Sequence, residues 1–268
     1  MPSLARVRVH PIKALDPLEL DSVAISPAGG LEGDRVYAVV DGEGEYVNGK
    51  RTAAVHRLDA EVDLGAATVT IGERGADDRR TFHLDRDRDA LAGWLAAYLG
   101  YPVDVVSGDG GELTDSAALG GEAPGATVVS TATLEAVADW FPALDVDGIR
   151  RRFRANLEVD GVEAFWEDRL VGADARLVVG DVAFRDVEPV HRCVVPTRDP
   201  DTGEPTEGFR ERFVRERGAT IPEAARGAYD HAYALTVLAR PTEAGRGETV
   251  AVGDPVAVRA PQTAGSAT

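Results

Sequence analysis

The only cysteine of the chain, Cys193, is flanked by charged residues rather than by apolar ones. His191 and Arg192 come just before it, and a thiol in this cationic setting favours the thiolate form. A free cysteine of the hydrophobic core, the common alternative, more often has apolar neighbours. A thiolate of this kind is either a nucleophile or the single cysteine ligand of a metal ion, and both chemistries stay open at this point.

A single cysteine also limits the kinds of site that the chain can build. It excludes an intramolecular disulfide, a zinc ribbon and a cysteine-ligated iron–sulfur cluster, because each of these needs several thiols. His191 and Cys193 would make half of a zinc site, with no second cysteine to complete it. The sequence also lacks a serine nucleophile elbow, a phosphate-binding loop ending in Lys-Ser/Thr and a His-Glu-x-x-His motif.

Two acidic residues follow the cysteine in an Asp-Pro-Asp-Thr-Gly segment at residues 199–203. Asp199 and Asp201 are therefore predicted to carry protons near a metal bound by Cys193. The alternative is a pair of solvated loop acids, which is the usual fate of aspartates in a turn.

Basic and amide residues cluster at three places along an otherwise acidic chain. Guanidinium forks bind phosphate through paired hydrogen bonds, so such clusters suit a phosphate-bearing ligand. Arginines paired with surface carboxylates are the simpler interpretation of each cluster alone. Their occurrence together with a thiolate-prone cysteine favours an anionic, metal-bearing ligand. The clusters comprise Lys13 with residues 33–35, residues 48–51, and residues 150–156.

The overall charge excludes some partners. A formal net charge of -17 argues against nucleic acid or an anionic membrane as a partner, since both require a basic surface. Lys13 and Lys50 are the only lysines. Self-repulsion of so many carboxylates is tolerable where salt screens it, so we expect a halophilic protein. No apolar run is long enough for a membrane span and residues 1–10 have no signal-peptide pattern, so we expect a cytoplasmic location.

Hydrophobic periodicity predicts a mainly β protein of the α+β class. Short strands are expected around residues 5–9, 35–40, 45–47, 69–71, 157–159, 176–190, 233–238 and 250–258. Apolar residues at helical spacing predict helices that begin at Asp89, Thr131 and Gly208. Many short strands with few helices favour a barrel. Residues 107–124 are the predicted linker or loop, and we expect a disordered tail over 261–268.

The order of these motifs resembles the MOSC family, the domain named for the C-terminus of molybdenum cofactor sulfurase, here with its N-terminal β-barrel partner domain. The resemblance covers roughly residues 4–60 and 150–257, and the similar subgroup includes the mitochondrial amidoxime-reducing component and its bacterial counterparts. Ala14 and Ala155 depart from the family pattern, where serine and proline are usual. The motifs are His-Pro-Ile-Lys at 10–13, Gly-Asp-Arg at 33–35, Arg-Phe-Arg-Ala-Asn at 152–156, Arg-Cys at 192–193, Asp-Pro-Asp-Thr-Gly at 199–203 and Val-Gly-Asp-Pro-Val at 252–256.

The resemblance implies a fold, a cofactor and a set of ligands. Residues 1–110 would form the N-terminal β-barrel-like domain, packed on a MOSC β-barrel with a few helices at 111–260. Cys193 would be the protein ligand of molybdenum in a molybdenum–molybdopterin cofactor, and the family is also associated with pyridoxal phosphate binding. The implied cofactor-binding residues are Lys13, Arg35, Lys50, Arg154, Asn156 and Arg192.

The function implied by the resemblance is reduction of small N-oxygenated substrates. The chain has neither the cysteines for an iron–sulfur cluster nor a dinucleotide-binding fingerprint, so electrons would come from a separate flavin or iron–sulfur protein. A non-redox alternative uses Cys193 to carry the molybdenum cofactor, or sulfur as a persulfide, to another enzyme. A third hypothesis is a phosphate-metabolite binding module in which Cys193 is a core residue.

Overall fold

The computed structural model of the chain describes residues 1–108, 113 and 124–260. The predicted tail at 261–268, most of the predicted loop at 107–124 and the predicted domain boundary at residue 110 lie outside the described residues. No helix in the described part of the chain is long and apolar enough to cross a lipid bilayer.

Short strands dominate the described residues, which confirms the mainly β, α+β class. The strands are β1 Ser3–Val9, β2 Leu18–Leu20, β3 Ser22–Ala24, β4 Tyr37–Asp41, β5 Leu58–Asp63, β6 Thr68–Glu73, β7 Arg80–His83, β8 Val103–Ser107, β9 Ala126–Ser130, β10 Leu157–Asp160, β11 Arg176–Val179, β12 Val182–His191, β13 Ala234–Pro241, β14 Thr249–Ala251 and β15 Val256–Arg259. The α-helices are α1 Arg88–Leu99, α2 Thr131–Asp139, α3 Val146–Phe153 and α4 Phe209–Thr220.

The largest sheet has eight strands in the order β15-β11-β12-β13-β9-β10-β1-β2. Within the described part of this sheet β9 and β10 pair in parallel and the other neighbouring strands pair antiparallel, which places the β9–α2–α3–β10 connection on one face of the sheet. The sheet curls until Ser3 of β1 forms a β-bridge with Pro255, and the amide of Leu4 donates to the carbonyl of Asp254 at 2.9 Å. Among the described residues the edge strands β15 and β2 do not pair with each other, so the sheet is curled without being a closed barrel.

The first strands of the chain belong to this large sheet. β1 pairs with β10 and β2, and β3 pairs separately with β14. The alternation predicted for residues 5–9 buries Val7 and Val9 in a core that also contains Val128 and Val237 of the central strands. The division into domains at 1–110 and 111–260 stays a prediction. Strand β1 of the first region pairs with β10 of the second, so the two regions share one sheet.

A second core lies under β4 to β8 and helix α1. Strands β5, β6 and β7 form a three-stranded meander, and β4 pairs with β8. Their inward side chains, among them Val39, Val69 and Ile71, pack against Leu91 and Leu95 of α1. The residues that follow β1 and β4 therefore stand on a separate N-terminal body, which here means residues 12–16 and 35–105.

Helices α2, α3 and α4 form a third layer with an aromatic core. Phe141 stacks on Phe209 with ring centroids 4.5 Å apart, and Phe153 stacks on Phe213 at 5.3 Å. Phe209 and Phe213 are one helical turn apart on α4, so both point to the same face. This packing fixes the C-terminal end of α3, where Arg154 lies.

Candidate functional site

A cavity of about 380 Å³ opens between the N-terminal body and the loop that follows β12. Its wall is strongly basic, because nine lining residues are arginine or lysine and Asp16 is the one acidic lining residue among those described. This is a local reversal of the charge of the chain, whose formal net charge is -17. The basic lining residues are Lys13, Arg35, Lys50, Arg74, Arg151, Arg152, Arg154, Arg192 and Arg198.

Most of the predicted site residues meet at this cavity. The lining includes Cys193 and, of the predicted cofactor ligands, Lys13, Arg35, Lys50, Arg154 and Arg192.

Asn156, the remaining predicted cofactor ligand, does not line the cavity. Its side chain is buried, its Oδ1 accepts hydrogen bonds from the amide and hydroxyl of Thr127, and its Nδ2 donates to the carbonyl of Arg8 at 3.0 Å. These contacts tie β10 to its neighbours β1 and β9 beneath the site.

Cys193 lies just beyond the end of β12, and its side chain is exposed. The hypothesis that this cysteine belongs to the hydrophobic core is therefore wrong. Arg192 beside it is held by β13: its amide donates to the carbonyl of Tyr233, and its guanidinium donates to the carbonyl of Leu235 and the hydroxyl of Thr236. Burial lowers the pKa of Arg192 to about 10.

Arg35 and Arg154 both reach the cavity from strained backbone. Arg35 has a φ of 50° and Arg154, which ends α3, a φ of 52°; Ala14 of the cavity wall has 71°. Non-glycine residues in this left-handed region are uncommon and concentrate at functional sites. The guanidinium of Arg154 donates to the carbonyl of Leu15 at 2.7 Å. Burial, and then the nearby charge of Arg35, lower the pKa of Arg154 to about 10.

Arg35 is supported by a buried carboxylate behind it. Asp34 is fully buried, forms an ion pair with Arg35 and accepts a hydrogen bond from the amide of His10 at 2.6 Å. Burial alone would raise the pKa of Asp34, but the charge of Arg35 and the contacts with His10 lower it to about 2. Asp34 therefore stays ionised and anchors the Gly-Asp-Arg segment against β1.

The two lysines of the chain lie on the N-terminal side of the cavity. The Nζ of Lys13 donates to the carbonyl of Leu113 at 3.1 Å and stands 4.5 Å from the ring centroid of Tyr46. Lys50 lies in a turn, where its amide donates to the Oδ1 of Asn48 at 3.0 Å. Both cations are thus positioned by the segments that follow β1 and β4.

The two predicted proton carriers do not line the cavity, and both are engaged in other contacts. Oδ1 of Asp199 accepts from the amides of Asp201 and Thr202, each at 3.0 Å, and these bonds outweigh burial and lower its pKa. Asp201 binds the guanidinium of Arg151 through both oxygens, at 2.8 and 2.5 Å. The hydrogen bond from Arg151 is the main reason why the pKa of Asp201 is also lowered.

An ion-pair chain involving Asp201 joins the N-terminal body to the loop after Cys193. Arg74, in the turn after β6, contacts Asp201 at 3.2 Å and Asp16 at 2.6 Å. The same loop packs closely at Gly203, which has a φ of 74°. A Cβ at this position would lie 2.7 Å from the carbonyl oxygen of Ala53. The Asp-Pro-Asp-Thr-Gly segment is thus the place where the loop docks on the N-terminal body.

The sequence placed Arg152 in a basic cluster without predicting it as a cofactor ligand, and it gave no sign of Tyr233, because the neighbours of both residues are distant in sequence. Arg152 is almost fully buried and donates to the carbonyl of Pro196 at 3.0 Å and to the hydroxyl of Thr206 at 3.1 Å, so it shapes the loop after Cys193. Tyr233 has a buried hydroxyl with no hydrogen-bond partner among the described residues. Burial, with a smaller effect of Cys193, raises its pKa to about 12.

Two protein-family models match the chain over most of its length. Residues 1–102 match the MOSC N-terminal beta barrel domain, and residues 115–257 match the MOSC domain. A search of the curated proteins finds no match. MOSC domains are associated with proteins that bind the molybdenum cofactor. With both of its domain types matched over most of its length, the chain belongs to the MOSC family.

Proposed function

We propose that the chain binds a molybdenum–pterin cofactor in this cavity, with Cys193 as the thiolate ligand, and reduces small N-oxygenated compounds. The observation that carries the proposal is an exposed thiol at a cavity with nine basic lining residues and one acidic one, on a chain of net charge -17. A soft thiolate suits a metal that already has sulfur ligands.

The uncompensated polar groups of the wall fit a ligand of this kind. Among the described residues, Arg154 and Arg192 contact carbonyl and hydroxyl groups and have no carboxylate within ion-pair distance, so their half-buried positive charges lack a directly bound anion. An unpaired buried charge is costly, and a bound anion would relieve that cost. The hydroxyl of Tyr233, which interacts electrostatically with Cys193 but does not line the cavity, is a further buried polar group without a partner among the described residues.

Each residue of the wall then has a role in holding the cofactor. Lys13 and Arg35, on the N-terminal body, would bind its phosphate, and Lys50 stands on the same side. Arg154 and Arg192 would neutralise its remaining negative charge beside the thiolate of Cys193. When bound, the cofactor supplies oxygen-atom transfer and a change of oxidation state at the metal.

Reduction of an N–OH group to N–H releases water and consumes electrons and protons in equal number. The electrons would come from a separate flavin or iron–sulfur protein. Asp199 and Asp201 remain the predicted proton carriers. Their lowered pKa values favour the ionised forms, so proton transfer through them would be fastest at acidic pH.

Turnover with an artificial reductant tests the proposed activity. Protein produced in a host that makes molybdopterin is mixed with benzamidoxime and reduced methyl viologen, and formation of benzamidine is measured. The wild type should form benzamidine. The rate of benzamidine formation by Cys193→Ser should be at least about 100-fold lower, because an alcohol is a poor ligand for this metal. Equal rates for the two proteins would contradict the proposal.

The exposure of Cys193 also suits the alternative of a molybdenum cofactor or sulfur carrier. A carrier would hold the cofactor, or a persulfide on Cys193, and pass it to a second protein without reducing any substrate. Cofactor-loaded protein that transfers pterin to an acceptor enzyme but produces no benzamidine would favour the carrier over the reductase.

A further inference from the structure

The carboxylates near the cavity neutralise only part of its basic wall. Arg35 is paired with Asp34, Arg74 and Arg151 share Asp201, and Arg152 has Asp199 at 3.8 Å. Among the arginines of the wall that the structure describes, three remain without a carboxylate within ion-pair distance. They are Arg154, Arg192 and Arg198.

Arg198 differs from the other two in its position. It lies five residues after Cys193, on the loop that packs against the N-terminal body, whereas Arg154 ends α3 and Arg192 precedes the thiol. One terminal nitrogen of Arg198 donates to the carbonyl of Gly203 at 2.9 Å, and its Nε is buried without a partner among the described residues.

His56 of the N-terminal body lies near Arg198 on the cavity wall. Burial first, and then the charges of Arg198 and Arg154, lower the pKa of His56, so its imidazole is neutral at neutral pH. Its Nε2 faces Gly49, where an added Cβ would be 2.4 Å away. His56 therefore contributes a neutral ring, and no counter-ion, to the wall near Arg198.

From this arrangement we infer that Arg198 binds a negatively charged group of the substrate, so that the site prefers anionic N-oxygenated compounds to neutral ones. The inference rests on the proposed function, in which the cofactor accounts for the charges of Arg154 and Arg192. The charge of Arg198 is then the one that a bound anionic substrate neutralises. A guanidinium in a partly desolvated wall binds a carboxylate through charge-assisted hydrogen bonds.

A matched pair of substrates tests this specificity. Benzamidoxime and 4-carboxybenzamidoxime differ by one carboxylate, and kcat/KM for each is measured with reduced methyl viologen at one ionic strength. Wild-type protein should favour the carboxylate by about tenfold, the worth of one hydrogen-bonded charge pair. Arg198→Gln should bring the ratio of the two kcat/KM values close to one, and Arg198→Lys should retain part of the preference.

A surface arginine provides the control for the change of net charge. Arg215 is two-thirds exposed and paired with Glu216, so Arg215→Gln should leave the ratio unchanged. Equal kcat/KM values for both compounds in the wild type, or an equal loss for both in Arg198→Gln, would overturn the assignment of Arg198.

Direct binding separates this inference from the proposed function. Dissociation constants of both compounds are measured by calorimetry on cofactor-loaded protein without reductant. If loaded protein reduces neither compound, the reductase proposal fails, while tighter binding of the carboxylate that is lost in Arg198→Gln still supports the role of Arg198. Equal dissociation constants for the two compounds would contradict that role whatever the activity.

Discussion

Glu167 offers a sharp test of the electrostatics of the fold. It lies in a short helical turn after β10 and is 1% exposed. Its Oε1 accepts from the amide of Ser130 at 3.3 Å, and its Oε2 has no partner among the described residues. Burial, with a smaller contribution from the adjacent carboxylate of Asp168, raises the pKa of Glu167 from 4.5 to about 7. We predict that Glu167→Gln raises the unfolding free energy relative to the wild type by more at pH 8 than at pH 4.5.

The direction follows from which state holds the proton. Between pH 4.5 and about 7 the folded protein keeps a proton on Glu167 that the unfolded chain has released. Folding stability therefore falls as the pH rises through this window, and it levels off above the folded pKa. A separation from 4.5 to about 7 corresponds to about 3 kcal/mol. Glutamine mimics the protonated form at every pH, so this loss is absent in the variant.

Urea unfolding followed by tryptophan fluorescence, at pH 4.5 and pH 8 and one salt concentration, measures the effect. The difference in unfolding free energy between Glu167→Gln and the wild type should shift by about 3 kcal/mol in favour of the variant between the two pH values. Glu163→Gln removes the same charge from a side chain that is 62% exposed, and it should shift by less than about 0.5 kcal/mol. The reasoning would be refuted by a Glu167→Gln difference that is the same at both pH values.

Three further substitutions test the site. Gly203→Ala should lower the unfolding free energy in urea by about 2–3 kcal/mol, because it combines positive φ with a backbone clash. Gly247→Ala, with a φ of 82° and open space around it, should lower it by only about 1 kcal/mol. Equal losses for the two variants would contradict the close docking of the loop. Asp201→Asn should lower the unfolding free energy by about 1 kcal/mol in low salt and by much less in molar salt, with the exposed Asp186→Asn near zero in both, and an effect independent of salt would contradict the ion-pair chain. Tyr233→Phe should change the unfolding free energy by less than about 1 kcal/mol, since its hydroxyl has no partner among the described residues. The same substitution should speed the release of fluorescent pterin from loaded protein, and unchanged release would argue against a contact with the cofactor.

Sequence patterns were sufficient for elements with strong periodicity. The helices expected from Asp89, Thr131 and Gly208 correspond to α1, α2 and α4, since in each the apolar residues recur at helical spacing. Helix α3 was not predicted, because its residues 150–152 are three arginines that read as a charge cluster. Residues 45–47, predicted as a strand, form only an isolated bridge between Tyr46 and Val40.

The site was predictable in its chemistry and not in its connections. The order of short motifs indicated the cysteine and most of the basic residues that meet at the cavity. The pairing of Asp201 with Arg74 depends on two loops that are more than 100 residues apart in sequence, and no local pattern encodes that contact. For the same reason, sequence reasoning could not identify His56 and Arg198 as neighbours on the cavity wall.

Molybdenum and pterin content per chain tests the central claim most directly. Wild-type protein and Cys193→Ala would be purified in high salt from a host that makes molybdopterin, and both contents measured alongside a circular dichroism spectrum. The wild type should hold close to one molybdenum and one pterin per chain. The variant should lose most of its molybdenum while the basic wall still retains pterin. A folded wild-type protein that holds neither molybdenum nor pterin would contradict the account.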